Sequence, residues 1–294
     1  MEASSARDSG PFKLFISDWE AAPARLPDGV SAWAIGDIHG YLGHLDALLT
    51  AIRLRIAAAP PGPRHLVSVG DSIDRGPDNI ATLLRLADLQ IPGVTVTRLW
   101  GNHEEFLDRF LNDGSLGEDF VDFWSMNGGL ATLANLGVTP GDIRRQGPAA
   151  IIAAVRAATP ASVRQALSTL TPGLKLGGYL FVHAGVHPVR ALADGESQRL
   201  TTMRQPFLDG EGWLHDFAVV HGHSIVGPDI KPHRISVDSG AYATGVLTCV
   251  ELHGDQARFI AATRDDNLDG LLKIRGRRSL AAETWRALDI SRSA

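Results

Sequence analysis

Five short apolar runs constrain the fold of this chain most, because each one stops at an Asp, Asn or His. They are SAWAIG before Asp37, RHLVSVG before Asp71, VTVTRLWG before Asn102, YLFV before His183 and FAVVHG before His223. Apolar runs of roughly four to eight residues bounded by Gly read as buried strands. The first two are followed by helical Leu spacing, over 41–59 and 77–90, the second opened by Pro77; a third helix starts at about Glu104. Strand, loop and helix recurring in this way predict an α/β fold with helices on the faces of a sheet. In open sheets of this kind ligands bind beyond the carboxyl ends of the strands, so the five polar exits can meet in space. Taken singly, each exit reads as a turn or helix-cap residue. Five in order do not.

Further strands are expected at 179–185, 217–223, 234–240, 245–254 and 256–263. From 112 to 172 the pattern turns helical, with Ala-rich stretches such as PAAIIAAVRAA, and reads as a helical insertion over one edge. Residues 1–30, broken by Pro and Gly, read as an N-terminal arm, 31–263 as the main domain and 264–294 as a C-terminal tail. A hydrophobic share of 44% and a charged share of 21% are those of a globular chain. A net charge of −5 with dispersed Lys and Arg argues against a nucleic-acid or membrane-surface partner. The single cysteine, Cys249, excludes an intrachain disulfide framework and fits a reducing compartment. The start lacks the long apolar stretch of a signal peptide, and no run approaches the roughly 20 residues of a membrane helix. A cytoplasmic protein is the expectation.

GDIHG, GDSIDRG and GNHE, in this order and about thirty residues apart, resemble the signature of the phosphoprotein phosphatase branch of the metallophosphoesterases. HAG, GHS and DSGA extend the likeness over residues 31 to 252. The resemblance implies a β-sandwich of mixed sheets flanked by helices. It also implies a metal-dependent phosphomonoester hydrolase similar to bacterial and phage-type serine/threonine protein phosphatases. Two divalent ions are implied, Mn2+ ahead of Fe or Zn. Asp37, His39 and Asp71 would hold the first, and Asp71, Asn102, His183 and His223 the second. Oxygen and imidazole donors suit such ions, and a bridging carboxylate offers one oxygen to each.

By the same resemblance Asp74 would orient His103, which would give a proton to the leaving oxygen. Arg75 would bind phosphate through its planar fork. TMRQPFL resembles the Trp-x-Arg-x-x-Phe pattern of bacterial members, with Thr202 in place of the Trp, which makes Arg204 a second phosphate-binding candidate. HGHS offers two histidines, and the resemblance selects His223 over His221. FWSMNGGLATLANLG resembles the Asn-Gly-Gly segment of bacterial and phage-type protein phosphatases. That favours a phosphorylated protein or a small phosphoester as substrate. Hydrolysis of symmetrical dinucleoside tetraphosphates and a non-catalytic metal-binding scaffold stay open as alternatives.

Overall fold

The structure is a computed structural model, and it describes residues 10–139, 141, 147–192, 197–265 and 285–288. Parts of the expected arm, insertion and tail (1–9, 140, 142–146, 266–284 and 289–294), and residues 193–196 of the main domain, lie outside the described residues. Strands β1 (Lys13–Ser17), β2 (Glu20–Ala21), β3 (Ser31–Ile35), β4 (Arg64–Ser68) and β5 (Thr95–Arg98) belong to an eight-stranded sheet. Between them and the rest of that sheet come β6 (Leu174–Leu176), β7 (Tyr179–Phe181), β8 (Ala218–His221), β9 (Asp229–Lys231) and β10 (Arg234–Ser236), which form a five-stranded sheet. β11 (Val246–His253), β12 (Gln256–Thr263) and β13 (Trp285–Ala287) complete the larger one. Its order is β13-β1-β12-β11-β3-β4-β5, with β2 beside β12; the smaller sheet runs β6-β7-β8-β10-β9. Both are mixed. β3, β4 and β5 are parallel neighbours, as are β7, β8 and β10.

Alternation along the strands builds the layers. Ala32, Ala34, Val67, Val250 and Phe259 of the larger sheet meet Tyr179, Phe181, Val220 and Ile235 of the smaller one in a core between the sheets. The intervening residues Trp33, Ile35 and Leu66 face the other way, against Leu45, Leu48, Leu49 and Ile52 of helix α1 (Leu42–Ala58). Burial on both faces is why these strands read as continuous apolar runs rather than alternating ones.

Residues 13–17 and 285–287, read from sequence as arm and tail, are strands of the larger sheet. β1 pairs antiparallel with β12, Lys13 opposite Thr263, and β13 pairs with β1. Leu14 and Ile16 are buried, so the added strand both fills the α1 side of the core and covers the edge of β12. The central strands stop short of their expected ends: β3, β4, β5, β7 and β8 end at Ile35, Ser68, Arg98, Phe181 and His221.

Helices α2 (Asn79–Ala87) and α3 (Asn102–Asn112) follow β4 and β5. α4 (Glu118–Trp124), α5 (Leu130–Asn135), α6 (Pro148–Ala158) and α7 (Ala161–Ser168) occupy the expected insertion. They share a core with α3 that includes Leu107, Phe110, Trp124, Leu133, Val155 and Val163. A π-turn, Ser125–Gly129, joins α4 to α5. Among the described residues no helix is long and apolar enough to cross a membrane.

Candidate metal centre

The parallel order β3-β4-β5 brings the loops after Ile35, Ser68 and Arg98 side by side, and β7-β8 does the same for His183 and His223 across the sandwich. The loops are hydrogen-bonded to one another. Ile38 and His39 N–H donate to the Asp71 carbonyl at 3.0 and 2.9 Å, and Gly222 N–H donates to the His183 carbonyl at 2.8 Å. At Gly222 a Cβ would lie 2.0 Å from Asp37 Oδ1, so this approach admits no side chain. The described non-glycine residues with positive φ are His39, Asp71, Asp74, Arg75 and His223, at 50°, 51°, 71°, 70° and 62°. All five are residues singled out from sequence. Such backbone is disfavoured for L-residues and persists where its surroundings over-determine it, as at functional sites.

Asp71 is the hub. Its carboxylate is common to two groups of potential ligands, His39–Asp71–His103 and Asp71–His183–His223. Asp71 Oδ2 lies 3.3 Å from His183 Nε2 and 3.7 Å from both His39 Nε2 and His103 Nε2. Asn102 Oδ1 sits 3.1 Å from His183 Nε2. Asp37, expected beside His39, is in neither group: its two oxygens accept the His223 N–H at 2.9 and 3.2 Å. His103, expected to bind no metal, completes the first group. His221 stands apart, its Nδ1 toward the Gly222 carbonyl and its ring edge-on to Phe207.

The imidazoles are oriented by their outer nitrogens. Nδ1 of His39 meets the Ile73 carbonyl at 2.8 Å, Nδ1 of His183 the Val69 carbonyl at 2.9 Å, and Nδ1 of His103 an oxygen of Asp74 at 2.6 Å. Arg75 touches the Nε2 of both His39 and His103, and Arg204 Nε donates to His223 Nε2 at 3.2 Å. A guanidinium cannot accept, so each of these Nε2 atoms accepts from an arginine through its lone pair in this structure. Outer hydrogen bonds that fix tautomer and ring direction are those of a metal-ligating histidine.

Charge supports the same fit. Burial alone would lower the His183 imidazole, but Asp71 and Asp37 push it up to about 10. Burial also opposes ionisation of Asp71, yet His183 and His103 hold it well below the usual carboxylate range. Burial and the His183 charge press His223 down to about 3, which keeps its lone pair free. Burial pushes Asp238 up to about 6, against the stabilising Gly240 N–H. The buried carboxylates thus draw positive charge to the centre, here onto His183, and divalent cations would meet the same demand.

Several functional groups escaped the sequence reading. Glu104, buried at the end of GNHE, accepts the N–H of Gly101, Asp71 and Ser72 at 3.1, 2.8 and 2.7 Å and the Ser72 hydroxyl at 2.8 Å. It thereby fixes the loop that carries Asp71. The signal was an acid three residues after a glycine at a helix start, which also suits the helix dipole. Tyr242 carries the Arg75 guanidinium 4.4 Å over its ring. Trp124 and Thr132, within the quoted FWSMNGGLAT, bond Asp74. Two grooves, of about 530 and 480 Å³, open on either side of Arg75, Arg204 and His223. Phe106, Phe123 and Asn127 line one, and Ile225, Val226 and Tyr242 the other.

The sequence profile of the calcineurin-like phosphoesterases matches residues 30–246. Serine/threonine-protein phosphatase 1 of Salmonella typhimurium is 39% identical over 98 residues, 33% of this chain and 38% of that protein. Serine/threonine-protein phosphatase 2 of the same organism is 39% identical over 99 residues, with the same two shares. The alignments thus span well under half the length of these relatives. A solved structure provisionally named a diadenosine tetraphosphatase superposes with a TM-score of 0.51 and 23% identity, over 81% of this chain and 96% of that one. At that identity the likeness is one of fold.

Proposed function

Since this chain belongs to the calcineurin-like phosphoesterase family, we propose that it hydrolyses phosphomonoesters, as a serine/threonine protein phosphatase. The observation that carries the reading is one buried carboxylate, that of Asp71, common to two groups of potential ligands, His39–Asp71–His103 and Asp71–His183–His223. His39 and Asp71 with Asp37 would hold one divalent ion, and Asp71, Asn102, His183 and His223 the other; Mn2+ is the proposed metal. When bound, two such ions supply Lewis acidity, neutralising phosphate oxygens and making water a nucleophile near neutral pH.

The residues of the chain do the rest. Arg75 and Arg204 stand at the junction of the two grooves, where their forks can take the remaining phosphate oxygens and leave the esterified group in a groove. For the acid step His103 would carry a proton on Nε2 in place of the lone pair that accepts from Arg75 here, with Asp74 on Nδ1 balancing the imidazolium. The proton passes to the departing alkoxide, which is a poor leaving group without it. Phosphate release from a phosphoserine peptide, an aryl phosphate and a dinucleoside tetraphosphate, with Mn2+ added to metal-stripped protein, tests the reading. Both monoesters should turn over and the dinucleotide should lag. Preferential cleavage of the dinucleotide, or no cleavage of any of the three, would overturn it.

A further inference from the structure

Asp74 is fully buried, and its carboxylate has three side-chain partners, two of them from the insertion. Thr132 Oγ1 donates to Oδ1 at 2.5 Å. Trp124 Nε1 donates to Oδ2 at 2.7 Å, beside His103 Nδ1 at 2.6 Å. The backbone is gripped as well: Asp74 N–H donates to Thr132 Oγ1 at 3.2 Å and Arg75 N–H to the Gly128 carbonyl at 3.0 Å. Gly128 lies at φ 102°, and a Cβ there would fall 2.5 Å from Arg75 Cγ. The π-turn Ser125–Gly129 therefore seats the insertion directly on the Asp74–Arg75 pair, the two adjacent residues with left-handed backbone.

We propose that Trp124 and Thr132 are positioning residues for the proton donor, holding the Asp74 carboxylate in the one orientation that aims His103 Nε2 into the centre. The inference rests on the phosphoester reading above. A carboxylate with one partner is free to turn about its broad χ2, whereas donors on both oxygens leave a single arrangement. Both Trp124 and Thr132 are fully buried and line neither groove, so their influence passes through Asp74. The same insertion walls a groove with Phe123 and Asn127, so a segment that shapes substrate binding also sets the acid.

The test uses Trp124→Phe, which keeps an aromatic ring, though a smaller one, and removes the N–H, and Thr132→Val, which removes the hydroxyl, with Thr132→Ser as the conservative rescue. Wild type and His103→Asn are the references. Trp124→Phe and Thr132→Val should slow phosphoserine-peptide hydrolysis about 10- to 100-fold, the range of a lost hydrogen bond to a charged group. Aryl phosphate hydrolysis should fall distinctly less, manganese content should not change, and Thr132→Ser should stay near wild type. A second readout needs no turnover. In histidine-labelled metal-free protein, the His103 Nδ1 proton, identified by its loss in His103→Asn, should exchange with water faster in both variants. Equal slowing of the two esters, or unchanged proton exchange in folded variants, overturns the proposal. Should Trp124→Phe not fold, the Thr132 pair decides alone. Failure of His103→Asn itself to discriminate the esters would refute the proton-donor role given to His103 in the functional reading, while the exchange measurement would still decide whether Trp124 and Thr132 hold the dyad.

Discussion

Asp71→Asn should remove both metal ions rather than one. Its backbone, at φ 51°, tolerates Asn, which populates the left-handed region readily, so the change is confined to the side chain. Oδ1 accepts the His103 N–H at 3.1 Å, and the amide oxygen of Asn must take that place to avoid two opposed donors. The amide NH2 then falls where Oδ2 stood, 3.3 to 3.7 Å from the Nε2 atoms of His183, His39 and His103. The point shared by the two ligand groups becomes a donor and loses its charge. Outer partners of metal ligands are worth about 10- to 100-fold in affinity, so a shared ligand should be worth about 100-fold or more for each ion. At an ion concentration about 1,000 times the wild-type Kd, binding stabilises the fold by about 4.1 kcal/mol per ion; a 100-fold weaker site retains about 1.4 kcal/mol. The lost ~2.7 kcal/mol should shrink the manganese-dependent rise in Tm by about 4 °C per ion for a chain of this size. Elemental analysis after gel filtration and thermal unfolding with and without Mn2+ measure both effects. His39→Ala and His223→Ala, each touching one group, should still hold one ion. If Asp71→Asn kept one ion at wild-type affinity, the shared-carboxylate arrangement would be refuted.

Three further outcomes are expected. His103→Asn should keep both ions yet slow alkyl phosphate hydrolysis about 10²–10⁴-fold, with aryl phosphate affected much less, because a phenolate leaves without a proton; equal loss would reassign His103 to phosphate or metal binding. His223→Ala should weaken one metal site in a titration, whereas His221→Ala, which removes a buried ring from Phe207, should keep both and lose about 1–3 kcal/mol of stability by denaturant unfolding. Phe123→Ser, at an exposed groove wall, should change relative kcat/KM among phosphopeptides with little change in metal content, and an unchanged ranking would remove Phe123 from substrate recognition.

The features legible in the amino-acid sequence are local. Apolar runs closed by Gly–Asp, Gly–Asn and Val–His marked the central strands and the polar loops after them, since strand periodicity and turn chemistry are written in neighbouring residues. The resemblance carried by the signature motifs then implied Asp37, His39, Asp71, Asn102, His183 and His223 as metal ligands. β1 and β13 were not legible, because strands of five and three residues take their stability from pairing with β12 and with each other rather than from their own pattern. The tertiary structure alone decided which groups meet. The parallel order β3-β4-β5 put His103 in a group with His39 and Asp71, and the packing of two sheets brought His183 and His223 to the same carboxylate. It also placed Trp124 and Thr132 on an aspartate 50 and 58 residues away in sequence. Left-handed backbone at five site residues likewise belongs to no local signal: each such conformation is unfavourable by itself, and it is held by hydrogen bonds from strands and helices that come together only when the chain has folded.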